Sequence, residues 1–282
     1  MLELTPIGEL LSQAKTLLTA SDTPQLDAEL LLAHALNKSR TWLHTWPEKI
    51  PTEAQQLHFQ QLIERRQQGV PIAHLLEQQS FWTLNLKVTA DTLIPRPETE
   101  LLVETALAAI PTEQPWRIAD LGTGSGAIAL AIASECPHAT LYATDQSAAA
   151  LAIAEENGHH HQLTNLQFLL GSWFEPLPTE PFDLILSNPP YIAADDPHLS
   201  QGDVRFDPGT ALTAGADGLD DLRHIIAGAI NHLKPGGQLM VEHGYDQGNA
   251  VRSLFQQHGY QAITTQRDLA GEERITYGRT AA

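Results

Sequence analysis

RIADLGTGSGAIA, residues 117–129, runs from an apolar strand-like segment through three glycines spaced G-x-G-x-G into an alanine- and isoleucine-rich run that predicts a helix. Strand, glycine turn and helix in that order place a ligand crevice beyond the carboxyl end of a sheet, because glycines let the backbone approach a bound molecule closely. The spacing differs from the G-x-G-x-x-G of dinucleotide-binding turns, and Asp120 stands directly before the glycines. An acid there disfavours a pyrophosphate and suits a ligand that carries an ammonium group. Asp145 ends the next apolar run, TLYATD (140–145), where it can accept hydrogen bonds from both hydroxyls of a ribose. The alternative is that Asp145 caps the following helix, a task that Ser147 can also perform.

Outward from this turn, short apolar runs alternate with helical stretches: WRIADLG, TLYATD, LQFLLG, FDLILSNPP and QLMVEHG. That alternation predicts an α/β fold with a parallel sheet covered on both faces. Near the end, AITTQRD and RITYGRT are joined only by the DLAGEE turn, too short for a crossover helix, so they are expected to pair antiparallel. Before the sheet, a helix is expected from about Glu98 to Ala109, and the run through Phe81, Trp82, Leu84, Leu86 and Val88 reads as a short hairpin. Up to about Gln79 the apolar residues recur at helical spacing. One stripe is Leu10, Leu11, Ala14, Leu17 and Leu18; another is Leu26, Leu30, Ala33 and Leu36 or Ala35; a third helix, from Thr52 to Arg66, uses Ala54, Leu57 and Leu62. Two domains follow, a small helical bundle over residues 1–79 that packs or docks a partner, and an α/β domain over 80–282.

Composition narrows the function. The 282 residues are 42% hydrophobic, enough for a core, and carry 16 basic against 34 acidic side chains, a net charge of −18. Such a chain repels nucleic-acid backbones at long range, so direct duplex DNA binding is not expected. No run reaches the ~18 apolar residues of a membrane span, and no signal-peptide pattern opens the sequence. Cys136 is the only cysteine, which excludes an intrachain disulfide and cysteine-rich zinc sites and makes the reducing cytoplasm the expected compartment. No metal site is expected: His159, His160 and His161 are consecutive, so their side chains diverge, and no carboxylate cluster accompanies them. Glu242 and His243 follow the QLMV strand and read as catalytic or as structural strand-end residues. Asp195, Asp196, Asp203 and Asp207 make one loop acidic, a landing site for a basic partner or a solvated surface.

FDLILSNPPY (182–191) supplies the second constellation. Two successive prolines hold the chain extended beyond a buried strand. Asn188 can then offer its side-chain oxygen, and Pro189 its main-chain oxygen, to one NH2 group. Tyr191 adds a flat face for a planar group. Asn188, Pro189, Pro190 and Tyr191 thus form a candidate socket for an amide or an amino group, with a tight strand-to-loop turn as the alternative.

GTGSG, Asp145 and NPPY together resemble class I methyltransferases, which use S-adenosylmethionine and methylate planar nitrogens. With IPRPETE (94–100), DLGTGSGAIAL, SNPPYI, QGDVRFDP, KPGG at a helix end and VEHG, the chain resembles the HemK or PrmC family over nearly its whole length. The resemblance implies a Rossmann-like fold, mostly parallel with a terminal antiparallel hairpin, behind an N-terminal helical domain. It implies methyl transfer from S-adenosylmethionine to the side-chain amide of the glutamine in the Gly-Gly-Gln motif of class I peptide-chain release factors. It also implies that Gly122, Thr123, Gly124, Ser125 and Gly126 wrap the methionine part of the cofactor, that Asp145 holds its ribose and that Trp173 lies against adenine. Asn188 to Tyr191 would hold the glutamine, with Asn188, Pro189 and Tyr191 carrying catalysis. Arg96, Thr99 and Glu100 either line the amino-acid end of the cofactor or serve as helix-start capping and a surface ion pair. The family's Glu-Pro after the socket is Asp207-Pro208 here. An adenine-N6 methyltransferase is the alternative, since adenine carries a planar NH2 too. The glycine spacing and Asp120 argue against a nicotinamide oxidoreductase.

Overall fold

A computed structural model describes residues 4–111 and 113–282; residues 1–3 of the expected first domain lie outside the described residues. The chain divides into two compact units, residues 1–78 with 200–206, and residues 79–199 with 207–282. Residues 200–206, which the sequence reading left in the second domain, cluster with the first unit.

The first unit is helical: α1 (Ile7–Leu17), α2 (Pro24–Leu36), α3 (Arg40–Thr45), α4 (Glu53–Gln67) and α5 (Ile72–Leu76). Each start has a local cause. Pro24 opens α2, where its fixed φ and missing amide cost nothing. Thr52 and Gln55 form a capping box on α4, and Ser39 caps α3 through the Trp42 amide. The core uses Leu11, Ala14, Leu31, Leu32, Phe59, Leu62 and Ile63. The expected stripes are therefore only partly right: Leu17 and Leu57 are exposed. On α4 the inward face runs through Gln56, Phe59, Leu62 and Ile63. Gln56 can be buried there because its amide donates to the Pro51 carbonyl at 3.0 Å. Asp27 and Glu29 are likewise buried on α2, paired with Arg66 and Arg40.

The second unit begins with the β1 (Gln78–Phe81) and β2 (Leu84–Lys87) hairpin, of which Gln78 itself belongs to the first unit, followed by α6 (Glu100–Ala109). Then β3 (Arg117–Leu121), α7 (Ala127–Glu135), β4 (Thr140–Asp145), α8 (Ala148–His160), β5 (Leu166–Leu170) and β6 (Phe182–Ser187) alternate as expected. They are followed by α9 (Asp220–Ala229), β7 (Leu233–Glu242), α10 (Gly248–Gln257), β8 (Gln261–Arg267) and β9 (Glu273–Arg279). The sheet order is β5-β4-β3-β6-β7-β9-β8. β3 pairs in parallel with β4 and β6, and β9 runs antiparallel to both β7 and β8, as the short final turn required. KPGG does not end a helix: α9 stops at Ala229, and these residues lie in the first half of β7, where its pairing with β6 shifts register.

Alternate strand residues face two cores, as a pleated sheet requires. Ile118, Leu141 and Leu184 pack with Leu102 and Leu130 on one side, while Ala119, Leu121 and Ile185 pack with Ile225, Ile226 and Val251 on the other. Burying both faces makes these strands continuous apolar runs. The order reverses at β3, with β4 on one side and β6 on the other, which marks the carboxyl ends of these strands as the ligand crevice. Among the described residues, no helix is long and apolar enough to cross a membrane.

Candidate active site

A cavity of about 270 Å³ opens in the second unit at that crevice. Of the residues chosen from sequence, Gly122, Gly124, Asp145, Trp173, Asn188 and Pro190 line it. These come from the ends of β3, β4 and β6 and from the loop after β5.

The glycine turn is tied to β4. The Gly122 and Thr123 amides both donate to the Thr144 carbonyl at 2.9 Å. The Gly124 amide donates to Asp145 Oδ2 at 2.9 Å, and the Ser147 amide to Asp145 Oδ1 at 2.8 Å. A carboxylate offers about four acceptor positions, so both oxygens retain capacity for a ligand. Ser147 Oγ accepts from the Ala150 amide and so performs the helix capping that had been open between it and Asp145. A Cβ on Gly122 would stand 3.2 Å from the Trp173 ring, so the missing side chain lets that aromatic close over the turn. Gly124 has φ of +57°, and a Cβ there would meet nothing within 4 Å. Gly124 lines the cavity, and the place of its missing Cβ is open space.

Asp120 lies elsewhere than its expected ligand-facing role. It is buried behind the turn and absent from the cavity wall. Its Oδ2 accepts from Thr123 Oγ1 at 2.6 Å, while Oδ1 has no hydrogen-bond partner. Burial pushes its carboxyl up to about 7, against the opposing Thr123 and Ala129 hydrogen bonds and with Asp145 adding repulsion. Thr123, Ser125 and Gly126 also lie off the wall. The Ser125 carbonyl accepts from the buried Asn157, and Gly126 is the residue from which α7 starts.

Asn188 follows β6, and its Nδ2 donates to Thr99 Oγ1 at 3.1 Å. That bond leaves the side-chain oxygen for the cavity. Pro189 is buried, and its carbonyl accepts no hydrogen bond among the described residues. Tyr191 packs against the second core and donates its hydroxyl to Glu242 Oε1 at 3.3 Å. Its ring therefore does not line the cavity, and burial, with Glu242 alongside, pushes its phenol well above the usual range. Gln247 donates to the Tyr191 carbonyl at 2.9 Å, pinning the loop from behind.

Arg96 and Glu100 are both engaged within the second unit and lie off the cavity wall. Arg96 pairs with the buried carboxylate of Asp207, whose other oxygen accepts from the Ile94 amide at 3.2 Å. Glu100 accepts from the Trp82 amide at 2.8 Å. The acidic loop is accordingly less negative than its sequence: Asp207 is paired with Arg96, and Asp203 lies 3.7 Å from Arg66. His243 is buried between the Gly244 carbonyl and Thr276, a strand-end role. Burial holds its imidazole below the usual range. His161 contacts the Asn85 carbonyl, and Cys136 is buried with its thiol pushed up by desolvation. The sequence reading missed Thr92, Leu93, Gln146, Ala150 and Thr210 on the wall. Gln146 and Ala150 could have been found from their places just after Asp145; Thr210 carries no local signal.

Glycine at the open position, an acid with spare acceptor capacity, an aromatic and the Asn188 amide on the facing wall fit an adenosyl ligand with a reactive methyl. This sheet and site define a class I S-adenosylmethionine-dependent methyltransferase. Known proteins agree in detail. Residues 9–76 match the PrmC N-terminal domain, and residues 97–202 match the methyltransferase small domain. Release factor glutamine methyltransferase of Xylella fastidiosa is 53% identical over 255 residues, 90% of this chain and 93% of that protein. The Escherichia coli protein of the same name is 48% identical over 269 residues, 95% of this chain and 97% of that one. A methyltransferase from Pyrococcus furiosus superposes with a TM-score of 0.55 at 16% identity, covering 79% of this chain and 98% of that one, a likeness of fold alone. The chain belongs to the release factor glutamine methyltransferase family.

Proposed function

We propose that this chain methylates the side-chain amide nitrogen of the glutamine in the Gly-Gly-Gln motif of class I peptide-chain release factors, in the cytoplasm. The observation that carries this reading is the orientation of Asn188, whose nitrogen is engaged by Thr99 so that its oxygen is left for the cavity. With the Pro189 carbonyl it offers two neutral acceptors to one NH2 group. Gly122, Gly124, Asp145 and Trp173 are the residues that would hold S-adenosylmethionine. When bound, that cofactor supplies a sulfonium-activated methyl group.

A carboxamide nitrogen is a poor nucleophile because its lone pair is delocalised into the carbonyl. Acceptors that grip its two hydrogens orient the nitrogen and favour the positive charge that develops there. Neutral oxygens suffice, because the methylated nitrogen is strongly acidic and gives its proton to water. The helical unit, with residues 200–206, is the proposed docking module for the protein substrate. A charge of −18 counts against the adenine amine of nucleic acid as the acceptor.

Labelled cofactor and a recombinant class I release factor test the reading. The wild type is expected to label the protein. Asn188→Ala should bind cofactor normally and lose roughly 100-fold in single-turnover rate, the ~3 kcal/mol typical of one preorganised polar contact. Label in nucleic acid instead would move the acceptor to adenine, and an unchanged rate would remove Asn188 from the chemistry.

A further inference from the structure

Asn157 lies in the last turn of α8 with its side chain buried. A buried amide is costly unless its polar atoms are paired, and this one is paired wholly with main chain from two other segments. Oδ1 accepts from the Lys87 amide at 2.7 Å and Nδ2 donates to the Lys87 carbonyl at 3.0 Å. The side chain thus pairs with the end of β2 as a neighbouring peptide group would. Nδ2 has a second hydrogen, which goes to the Ser125 carbonyl at 2.9 Å.

Both partners lead to the cavity. A few positions after Lys87, residues 90–93 form one stretch of its wall, and Ser125 directly follows Gly124 of the glycine turn. Ser125 stands between Gly124 and Gly126, whose φ angles are +57° and +87°. Glycine adopts many backbone conformations, so a residue flanked by two of them has peptide groups that turn easily, and the shape of this stretch must be imposed from outside. Asp145 holds the Gly124 amide, and the Thr123 carbonyl holds the Gly126 amide at 2.8 Å. The Ser125 carbonyl belongs to the same peptide group as that Gly126 amide. The Gly126 carbonyl takes a helical bond of α7, from the Leu130 amide at 2.8 Å; Ser125 lies one position outside and has its donor in Asn157.

We infer that Asn157 is a positioning residue for the cofactor: one buried amide, itself off the cavity wall, holds the glycine turn and the 90–93 stretch in the arrangement that receives S-adenosylmethionine before that molecule arrives. The inference deepens the methyl-transfer reading and rests on its assignment of this cavity to the cofactor. Without the amide, the Ser125–Gly126 peptide loses one of its two anchors and the end of β2 loses its pairing. Ordering both segments then falls to the binding step, which weakens affinity.

The test is equilibrium titration of the full chain with S-adenosylmethionine, beside thermal unfolding of each variant. Asn157→Ala should bind ~10-fold or more weakly, the worth of about one hydrogen bond, and Asn157→Ser, which keeps one donor, should fall between it and the wild type. Asn165 supplies the control. Its Nδ2 bonds the Ala133, Cys136 and Ala139 carbonyls at 3.3, 3.1 and 3.2 Å, at the other end of α7 from the glycine turn. Asn165→Ala should lower the unfolding temperature and keep wild-type affinity. Wild-type affinity in a folded Asn157 variant, or an equal loss in Asn165→Ala, overturns the inference alone. Hydrogen exchange of the wild type decides the matter even if the Asn157 variants fail to fold: the Gly126 amide should exchange slowly without ligand, and rapid exchange that slows only with S-adenosylmethionine bound overturns the inference. A wild type that does not bind S-adenosylmethionine overturns the functional reading together with it.

Discussion

In the proposed chemistry Gly124 and Asn188 contribute little side chain and are placed by the backbone around them. Gly124 contributes absence: its φ of +57° is a left-handed conformation that disfavours side chains, and its Cβ direction is open cavity. Gly124→Val is therefore expected to weaken S-adenosylmethionine binding by roughly 10-fold or more, through backbone strain and a filled site. Equilibrium titration checks this, and unchanged affinity would place the cofactor elsewhere. The places of Asn188, Asp145, Gly122 and Gly124 at the cavity were readable in sequence because each lies in a contiguous motif whose local chemistry is unusual. Thr99 could be named from sequence, but not its tie to Asn188, because that is a contact across the fold, made from 89 positions away. Asp120 misled for a related reason. Its place before the glycines suggested a ligand contact, whereas its side chain turns back to Thr123.

At the scale of elements, the β3–α7 unit stores an electrostatic cost beneath the site. The native Asp120 carboxyl keeps its proton up to about 7, against 3.8 as the ordinary value. Between those values the folded state binds more protons than the unfolded one, so this group makes stability fall as pH rises across that window. Asn cannot ionise. The stability of Asp120→Asn relative to wild type should thus shift in the variant's favour by on the order of a few kcal/mol between about pH 4 and pH 7, and level off above. Urea unfolding of both proteins without ligand measures the shift; a constant difference would show that Asp120 ionises normally. The sheet strands were legible because burial on both faces leaves apolar runs with sharp ends. The helices of the first unit were legible as helices but less so in their facing, since Gln56, Asp27 and Glu29 are buried with partners that no periodicity reveals. The short α3 and α5 are too brief to show a period at all.

For the whole molecule, charge and cysteine content pointed away from some classes of function without locating one. The net charge of −18 fits a protein substrate better than a phosphate backbone. Residues 200–206 group with the helical unit, a long-range association invisible in a segment whose local sequence reads as loop. The substrate itself was legible only through family resemblance, because the proposed pairing of Asn188 with the Pro189 carbonyl would suit any planar NH2 and does not distinguish whose it is. Tandem mass spectrometry of a release factor after incubation with the wild-type chain and S-adenosylmethionine addresses that directly. The account predicts one added methyl, on the side-chain nitrogen of the Gly-Gly-Gln glutamine. A release factor left unmodified, or methylated at any other residue, would contradict it.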